Sequence, residues 1–412
     1  MSTDTSLFFA GYSGKRIHLG VTGSVAACRA LDLVRALTSL NVAVSATLTE
    51  SAARFITPLS FQALGADPVF TSMFSEATDD PRALFAHLYP QHEARALVVA
   101  PASADILARI THGLAGDLLS CQVLAFPGPV VVAPAMNPGM WRAAATRENV
   151  ATLQSRGVDF AGPVSGPVAC GDTGKGRMAP VEDVLAHALR AISPQDLADR
   201  KVLVTLGPTR EFADPVRCWT NPSTGRMGAS LAVAAWLRGA QVTAVCGPVS
   251  LTLPSGIERI DVTTAKEMHE AAADLWPAMD IGCLVSAVAD FRPAQPHTEK
   301  LKKEQAGKDG LLQHMTTNPD ILRDLGKAKG AHQKLIGFAA ETSGDLSAQA
   351  AEKLEAKNLD IIAANRIGDP GAGFAAQTNT VFVLDRQGRQ EQWPNLPKPE
   401  VAWRLWDQLI AL

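Results

Sequence analysis

The chain has 412 residues, 47% hydrophobic and 19% charged, with a formal net charge of −3. At about 150 residues per domain, that length holds two or three compact cores. The near-neutral balance excludes a broad basic field for nucleic acid and a polybasic membrane patch.

The charge-free stretch 118–141 is long enough to span a bilayer, but Pro127, Pro129, Pro134 and Pro138 interrupt it more densely than a spanning helix tolerates. The start, MSTDTSLFFAGYSGKR, lacks the basic opening of a signal peptide. Six scattered cysteines without a CxxC pair fit reduced thiols in a cytoplasmic protein. Tandem halves acting on small molecules, with no nucleic-acid or membrane partner, are the first expectation.

In chain order, RIHLGVTG predicts a strand leading into SVAACRALDLVRALTSL, whose apolar positions recur at helical spacing. VAVSATLTE predicts the next strand, with a helical stretch from near Ser51. ALVVAPASAD feeds the helix ILARITHGLAGDLLS, and VVVAPAMN ends at Asn137. This alternation implies a parallel sheet covered on both faces by helices. After the linker ISPQDLADRK the pattern restarts with the strand KVLVTLGPT, a long loop over 210–227 and the helix GASLAVAAWLRGA. QVTAVCGP, CLVSAVAD, KLIGFAAE and NLDIIAANR predict further strands, with crossover helices over 265–276 and 348–357. The expected fold is α/β, with two doubly wound domains meeting near residue 195. The N-terminal one is flavodoxin-like or Rossmann-like and the C-terminal one Rossmann-like.

Ligands of open α/β sheets sit beyond the carboxyl ends of the strands. The first-half strands end at Gly23-Ser24, Thr49-Glu50, Ala102-Ser103 and Met136-Asn137. Small and hydroxyl residues there suit either a tight turn or backbone contact with a phosphate. Gly20-Val-Thr-Gly23 is not GxGxxG, although Glu50 is placed to grip a ribose. The segment 170–178, CGDTGKGRM, carries three glycines and predicts a mobile loop. It is not a Walker loop, since Gly176 follows Lys175. A thiol beside Lys175 and Arg177 suits proton or electron donation. His87, with His92 and Glu93, lacks metal-site spacing. In the second half, GPTR at 207–210 and NPSTGRMG at 221–228 are polar loops, the latter running into a helix. EKLKK at 299–303 is either a solvated face or a grip on phosphate. Asp290, at the end of CLVSAVAD, either caps a helix or receives a nucleotide hydroxyl or base N–H.

GVTGSVAA, the lone His87, APASADILARITHGLAGDLL, PAMNPGMW and ACGDTGKGRM, in that order, resemble the flavin-dependent cysteine decarboxylases. GPTREFADPVR, NPSTGRMG, SAVADFRP, EKLKK, GFAAET and KNLDIIAAN follow. With them, nearly the whole chain is similar to the bifunctional phosphopantothenoylcysteine decarboxylase/phosphopantothenate–cysteine ligase family of coenzyme A biosynthesis. The resemblance implies an FMN-dependent decarboxylase domain over 1–192 and a CTP-dependent ligase domain over 197–412.

In the first, FMN would be bound without covalent attachment, with Gly23, Ser24, Thr49 and Ser103 as its contacts. It would oxidise the cysteine end of the substrate to a thioaldehyde, which loses carbon dioxide to an ene-thiolate. His87 matches the catalytic histidine, an acid/base or flavin-side partner. Asn137 matches the residue holding the substrate carboxylate, with Met140 beside it. Cys170 matches the thiol that delivers a proton from a lid.

In the second, CTP with Mg²⁺ would activate the 4'-phosphopantothenate carboxylate as an acyl-cytidylate, and cysteine's amine would displace CMP. Asn221 and Arg217 match residues of that second step, and Lys300 the lysine that forms the acyl-cytidylate. Asp290, Phe338, Lys353 and Lys357 fall on nucleotide contacts; no metal ligand is implied. The family also implies a homo-oligomer, a trimer-based decarboxylase half and a dimerising ligase half building a dodecamer. The departures are Cys28 in place of a frequent aromatic, Thr220 and Thr224 for serines, Arg226 for lysine and Ser286 for alanine. A flavin prenyltransferase would need neither Cys170 nor a second domain. An NAD-dependent dehydrogenase would need GxGxxG. A regulatory subunit without chemistry would not keep His87, Asn137, Cys170, Asn221 and Lys300 together.

Overall fold

The computed structural model describes residues 8–74, 84–302, 312–341, 345–366 and 376–412. They fall into two compact units, over residues 10–194 and 195–412, with residues 8–9 grouped with the second.

The first unit is built on β1 (Arg16–Val21), β2 (Ala43–Leu48), β3 (Ala66–Phe70), β4 (Ala96–Ala102), β5 (Val130–Pro134) and β6 (Asp159–Phe160). All pair in parallel in the order β3-β2-β1-β4-β5-β6. Every residue of β4 is buried, as expected where helices cover both faces of a sheet. The order is the Rossmann one, with its switch point between β1 and β4. The helical stretch expected near Ser51 is two short helices, Glu50–Ala53 and Pro58–Ala63, followed by β3. The second begins at Pro58, whose fixed φ suits a first helical position and ends the previous turn.

The glycine-rich segment differs from expectation. It is not a loop throughout: β7 (Val164–Pro167) and β8 (Thr173–Arg177) form an antiparallel hairpin with Cys170 in its turn. Glycine is required there for close approach. Gly176 has φ +152°, and a Cβ on it would lie 2.5 Å from the Met136 carbonyl oxygen. Gly176 O in turn accepts from Met136 N at 2.9 Å. The glycines therefore let the arm lie flat on the chain leading to Asn137.

The second unit comprises β9 (Lys201–Leu206), β10 (Arg210–Phe212), β11 (Cys218–Thr220), β12 (Gln241–Cys246), β13 (Glu258–Asp261), β14 (Ile281–Leu284), β15 (Phe291–Pro293) and β16 (Met315–Thr317). β17 (Lys334–Glu341), β18 (Ile361–Arg366), β19 (Thr378–Asp385) and β20 (Gln390–Pro397) complete it. Its main sheet runs β13-β12-β9-β14-β17-β18-β19-β20. The first six strands are parallel and repeat the doubly wound order of the first unit, while β19 and β20 add an antiparallel edge. Two differences from expectation stand out. The predicted loop 210–227 contains the hairpin β10–β11, and the strand in CLVSAVAD stops at Leu284, six residues short of Asp290. The core buries Trp276 and Trp406 completely, each indole N–H donating to a carbonyl, of Leu325 and Leu231 respectively, at 3.1 Å.

No helix among the described residues is long and apolar enough to cross a membrane. The charge-free stretch 118–141 is divided among the helix Leu118–Ala125, β5 and the helix Pro138–Arg142.

Candidate functional site

The carboxyl ends of the first sheet are tied together by short hydrogen bonds. Thr22 Oγ1 donates to Pro101 O at 2.8 Å and accepts from Ser103 N at 3.0 Å, linking β1 to β4 across the switch point. Ser24, Thr49 and Ser103 each cap the following helical turn, accepting from Ala26 N, Ala52 N and Ile106 N. A hydroxyl used as an acceptor keeps its own proton to donate. Gly23 is needed for contact: a Cβ there would come 2.5 Å from Ser51 Cβ.

Asn137 caps the helix Pro138–Arg142, its Oδ1 accepting from Gly139 N at 2.7 Å. Its Nδ2 donates to Cys170 Sγ at 3.3 Å and to Asp172 Oδ2 at 2.5 Å. Cys170 Sγ reaches the same carboxylate oxygen at 3.6 Å. The hairpin thus lays its thiol and a carboxylate on the Asn137 amide. A groove of about 1210 Å³ opens beside them, and Ser24, Cys28, Asn137 and Cys170 all line it. Cys28 is exposed there, so the exchange of a frequent aromatic for Cys28 alters a groove wall as well as local packing. Met140 is 49% exposed on the helix behind Asn137 and is not in the groove lining. His87 is half-buried, edge-on to Phe85 at 6.4 Å, and among the described residues no contact joins it to Asn137 or Cys170. Asp172 is the member of this cluster that sequence reasoning passed over. It stood inside the quoted ACGD motif, but nothing in spacing says that its carboxylate turns towards Asn137.

In the second unit the polar loops meet at the corresponding switch point, between β9 and β14. Ala287 N donates to Gly207 O at 2.9 Å and Ala289 N to Thr209 Oγ1 at 3.1 Å. Asn221 Nδ2 donates to the carbonyls of Ala287 (3.3 Å) and Val288 (3.1 Å). Two of the departures have partners here: Ser286 Oγ lies 2.9 Å from Thr205 Oγ1, and Thr220 Oγ1 donates to Thr209 O at 2.7 Å.

Arg217 and Lys300, far apart in sequence, are brought into one neighbourhood by Asp214. Its Oδ1 accepts from Val216 N and Arg217 N. Its Oδ2 accepts from Arg217 Nη1 at 2.6 Å and Leu301 N at 3.1 Å. Burial of Asp214 opposes its charge, but these hydrogen bonds outweigh it and hold the carboxyl well below the usual range. Arg217 Nη1 also donates to Leu301 O at 2.9 Å, next to the exposed Lys300. Lys303, the last of the lysine run, lies outside the described residues.

The four expected nucleotide contacts are spread over three elements: Asp290 on the loop beyond β14, Phe338 in β17, and Lys353 and Lys357 in and at the end of the helix Leu346–Ala356. Asp290 is exposed, and its carbonyl accepts from Asn318 N. Phe338 is half-buried in β17. Lys353 pairs with Glu341 at 2.5 Å and Lys357 with Asp320 at 3.0 Å. Among the described residues no cluster of three His, Cys, Asp or Glu could hold a metal.

Two Rossmann-ordered units, one with a thiol–amide–carboxylate cluster on a groove and one with polar loops at its switch point, define a two-domain α/β enzyme. The Flavoprotein family model matches residues 10–193, and that of the DNA/pantothenate metabolism flavoprotein C-terminal domain matches residues 197–412. The chain is 41% identical over 400 residues to the coenzyme A biosynthesis bifunctional protein CoaBC of Vibrio vulnificus (strain YJ016), covering 97% of this chain and 98% of that one. To the protein of the same name from Escherichia coli (strain K12) it is 43% identical over 379 residues, 91% and 92% of the two chains. A crystal structure of the C-terminal domain of a CoaBC protein is 34% identical, with TM-score 0.45, covering 53% of this chain and 97% of that one. The chain belongs to the family of coenzyme A biosynthesis bifunctional proteins, and it is a decarboxylase and a ligase in one polypeptide.

Proposed function

We propose that residues 1–192 decarboxylate 4'-phosphopantothenoylcysteine with FMN, and that residues 197–412 make that substrate from 4'-phosphopantothenate, cysteine and CTP. The observation that carries the first reading is the hydrogen-bonded Asn137 and Cys170, which line a groove together with Ser24 and share the Asp172 carboxylate as a partner. The donor set fits a flavin phosphate: Ser24, Thr49 and Ser103 stand at strand ends with hydroxyl protons available, and Gly23 keeps the turn free of a side chain. FMN, when bound, supplies the two-electron oxidation that makes the cysteine end a sink for decarboxylation. The chain's own residues orient and protonate. Asn137 Nδ2 receives the substrate carboxylate, which meets Asp172 already hydrogen-bonded to the same amide. Cys170 Sγ delivers a proton to the ene-thiolate left by loss of carbon dioxide, as two electrons are returned to it from the reduced flavin to give the saturated thiol, and the hairpin covers the groove. His87 serves as acid/base or flavin-side partner, and Met140 packs behind the carboxylate site.

The ligase reading rests on the loops gathered at the β9/β14 switch point. Asn221 aims its amide at the acyl centre by exchanging one of two backbone carbonyls for the acyl oxygen. Arg217, oriented by Asp214, and Lys300, carried one residue before the bond from Leu301, offset charge on the acyl-phosphate. Asp290, Phe338, Lys353 and Lys357 line the nucleotide. Mg²⁺ enters as the cation of the triphosphate, with no residue assigned to it. The working form is a cytoplasmic homo-oligomer, trimeric through the first half and dimeric through the second, up to a dodecamer. Cys170→Ser should stall after carbon dioxide release, and Asn221→Asp, which sets a carboxylate against two carbonyls, should accumulate the acyl-cytidylate. Normal turnover of both variants in product-resolved assays would remove these roles.

A further inference from the structure

The floor of the first unit contains a polar chain that the reactions above do not use. His18, in the middle of β1, is fully buried. Its Nδ1 lies 2.9 Å from Ser45 Oγ, and its Nε2 lies 2.9 Å from Thr47 Oγ1 and 3.2 Å from Gln122 Oε1. Gln122, in the helix Leu118–Ala125, is also buried, and its Nε2 donates to Ala86 O at 2.8 Å. Because a carbonyl only accepts, the amide nitrogen must face Ala86 and the amide oxygen must face His18. That oxygen needs a donor, which puts the ring proton on Nε2 and leaves Nδ1 to accept from Ser45. Burial drives the ring's pKa down from 6.5 to about 3, so it is neutral at physiological pH and keeps this tautomer. Tyr89 and Phe70 pack around the imidazole at 6.2 and 6.4 Å. Tyr89 N also donates to Ala86 O, at a long 3.4 Å. The carbonyl immediately before His87 is therefore fastened, through one side-chain amide and one neutral imidazole, to the adjacent strands β1 and β2.

We propose that Gln122, oriented by neutral His18, is a positioning residue for His87: it anchors the Ala86 carbonyl and so sets where the His87 imidazole is presented. The proposal rests on the reading of His87 as a group of the decarboxylation site. Placement of such a group matters steeply, since an error of about 1 Å costs up to about 100-fold in rate.

The test is a four-member cycle on the full-length, flavin-loaded chain: wild type, Gln122→Met, His87→Ala and the double variant. Methionine keeps the length of glutamine and removes both hydrogen-bonding groups, while His18 Nε2 retains Thr47. Gln122→Met should lower kcat for decarboxylation about tenfold with KM nearly unchanged. It should speed amide exchange over residues 84–89, leave the ligase rate intact and cause no further loss in the His87→Ala background. A loss of equal size in both backgrounds overturns the positioning role alone. A His87→Ala chain that decarboxylates normally overturns the reading of His87 and the proposal with it. Should Gln122→Met fail to fold, Gln122→Glu retains an oxygen for His18, lacks the amide donor, and runs through the same cycle.

Discussion

Asn137 spends one amide nitrogen on two groups of the hairpin, and the stronger contact is with a carboxylate. A substrate carboxylate arriving at that nitrogen competes with Asp172, like charge against like charge. Asp172→Asn should therefore lower KM for the carboxylated substrate, and slow the step after carbon dioxide loss because the thiol loses its charged acceptor. Steady-state and single-turnover kinetics read the two effects separately, and a raised KM would contradict the competition. The cysteines separate by setting. Cys246 and Cys283 are buried in strands, where burial pushes their thiols up, whereas Cys170 is exposed on the hairpin. His18 makes a different prediction, of stability. Burial, helped by the charge of Arg16 and opposed by the Gln122 bond, puts its folded pKa below the unfolded value of 6.5. As pH falls below 6.5 the unfolded chain takes up a proton that the native chain refuses, so native stability drops by about 1.4 kcal/mol per unit. The stability advantage of wild type over His18→Asn should thus shrink by about 2 kcal/mol between pH 6.5 and pH 5, read from denaturant unfolding of the first unit. A pH-independent difference would mean that the ring titrates normally.

At the scale of elements, the hairpin shows where sequence reasoning succeeds and where it stops. Glycine content predicted a mobile loop, whereas residues 173–177 form β8, because the missing side chains make room for the Met136 backbone. Gly176→Ala places a Cβ 2.5 Å from Met136 O at φ +152°, a strain of about 1–3 kcal/mol. It should lift Cys170 off Asn137 and depress decarboxylation while the ligase rate stays unchanged. The parallel strands were legible because full burial writes long apolar runs, as in β4, where all seven residues are buried. β3 and β6 were not legible, being short edge strands with mixed patterning. The antiparallel strands β19 and β20 mix uncharged polar residues with short apolar stretches, and β20 carries two prolines, which hides them beside a parallel-sheet signal. The end of CLVSAVAD was misread for a related reason: an apolar run does not mark where pairing ceases, and Asp290 lies on a loop beyond β14.

At the scale of the molecule, the same strand order recurs in both units without a repeat in sequence, and each switch point gathers residues quoted from separate motifs. Asn221 with 287–288, and Arg217 with 301, are long-range meetings that spacing alone does not contain; the family resemblance grouped them and the loops join them. The bulk charge of −3 was silent about local basic groups such as Lys175, Arg217 and Lys300. The central claim is that one chain performs two consecutive reactions. The direct measurement supplies the purified full-length protein, with FMN and Mg²⁺, with 4'-phosphopantothenate, cysteine and CTP, and follows CMP, pyrophosphate and carbon dioxide together. The account predicts CMP and pyrophosphate in equal amounts only when 4'-phosphopantothenate is present, followed by carbon dioxide from a yellow, flavin-bound chain. Formation of CMP without later carbon dioxide from a chain that takes up no flavin, or strict preference for ATP over CTP, would contradict it.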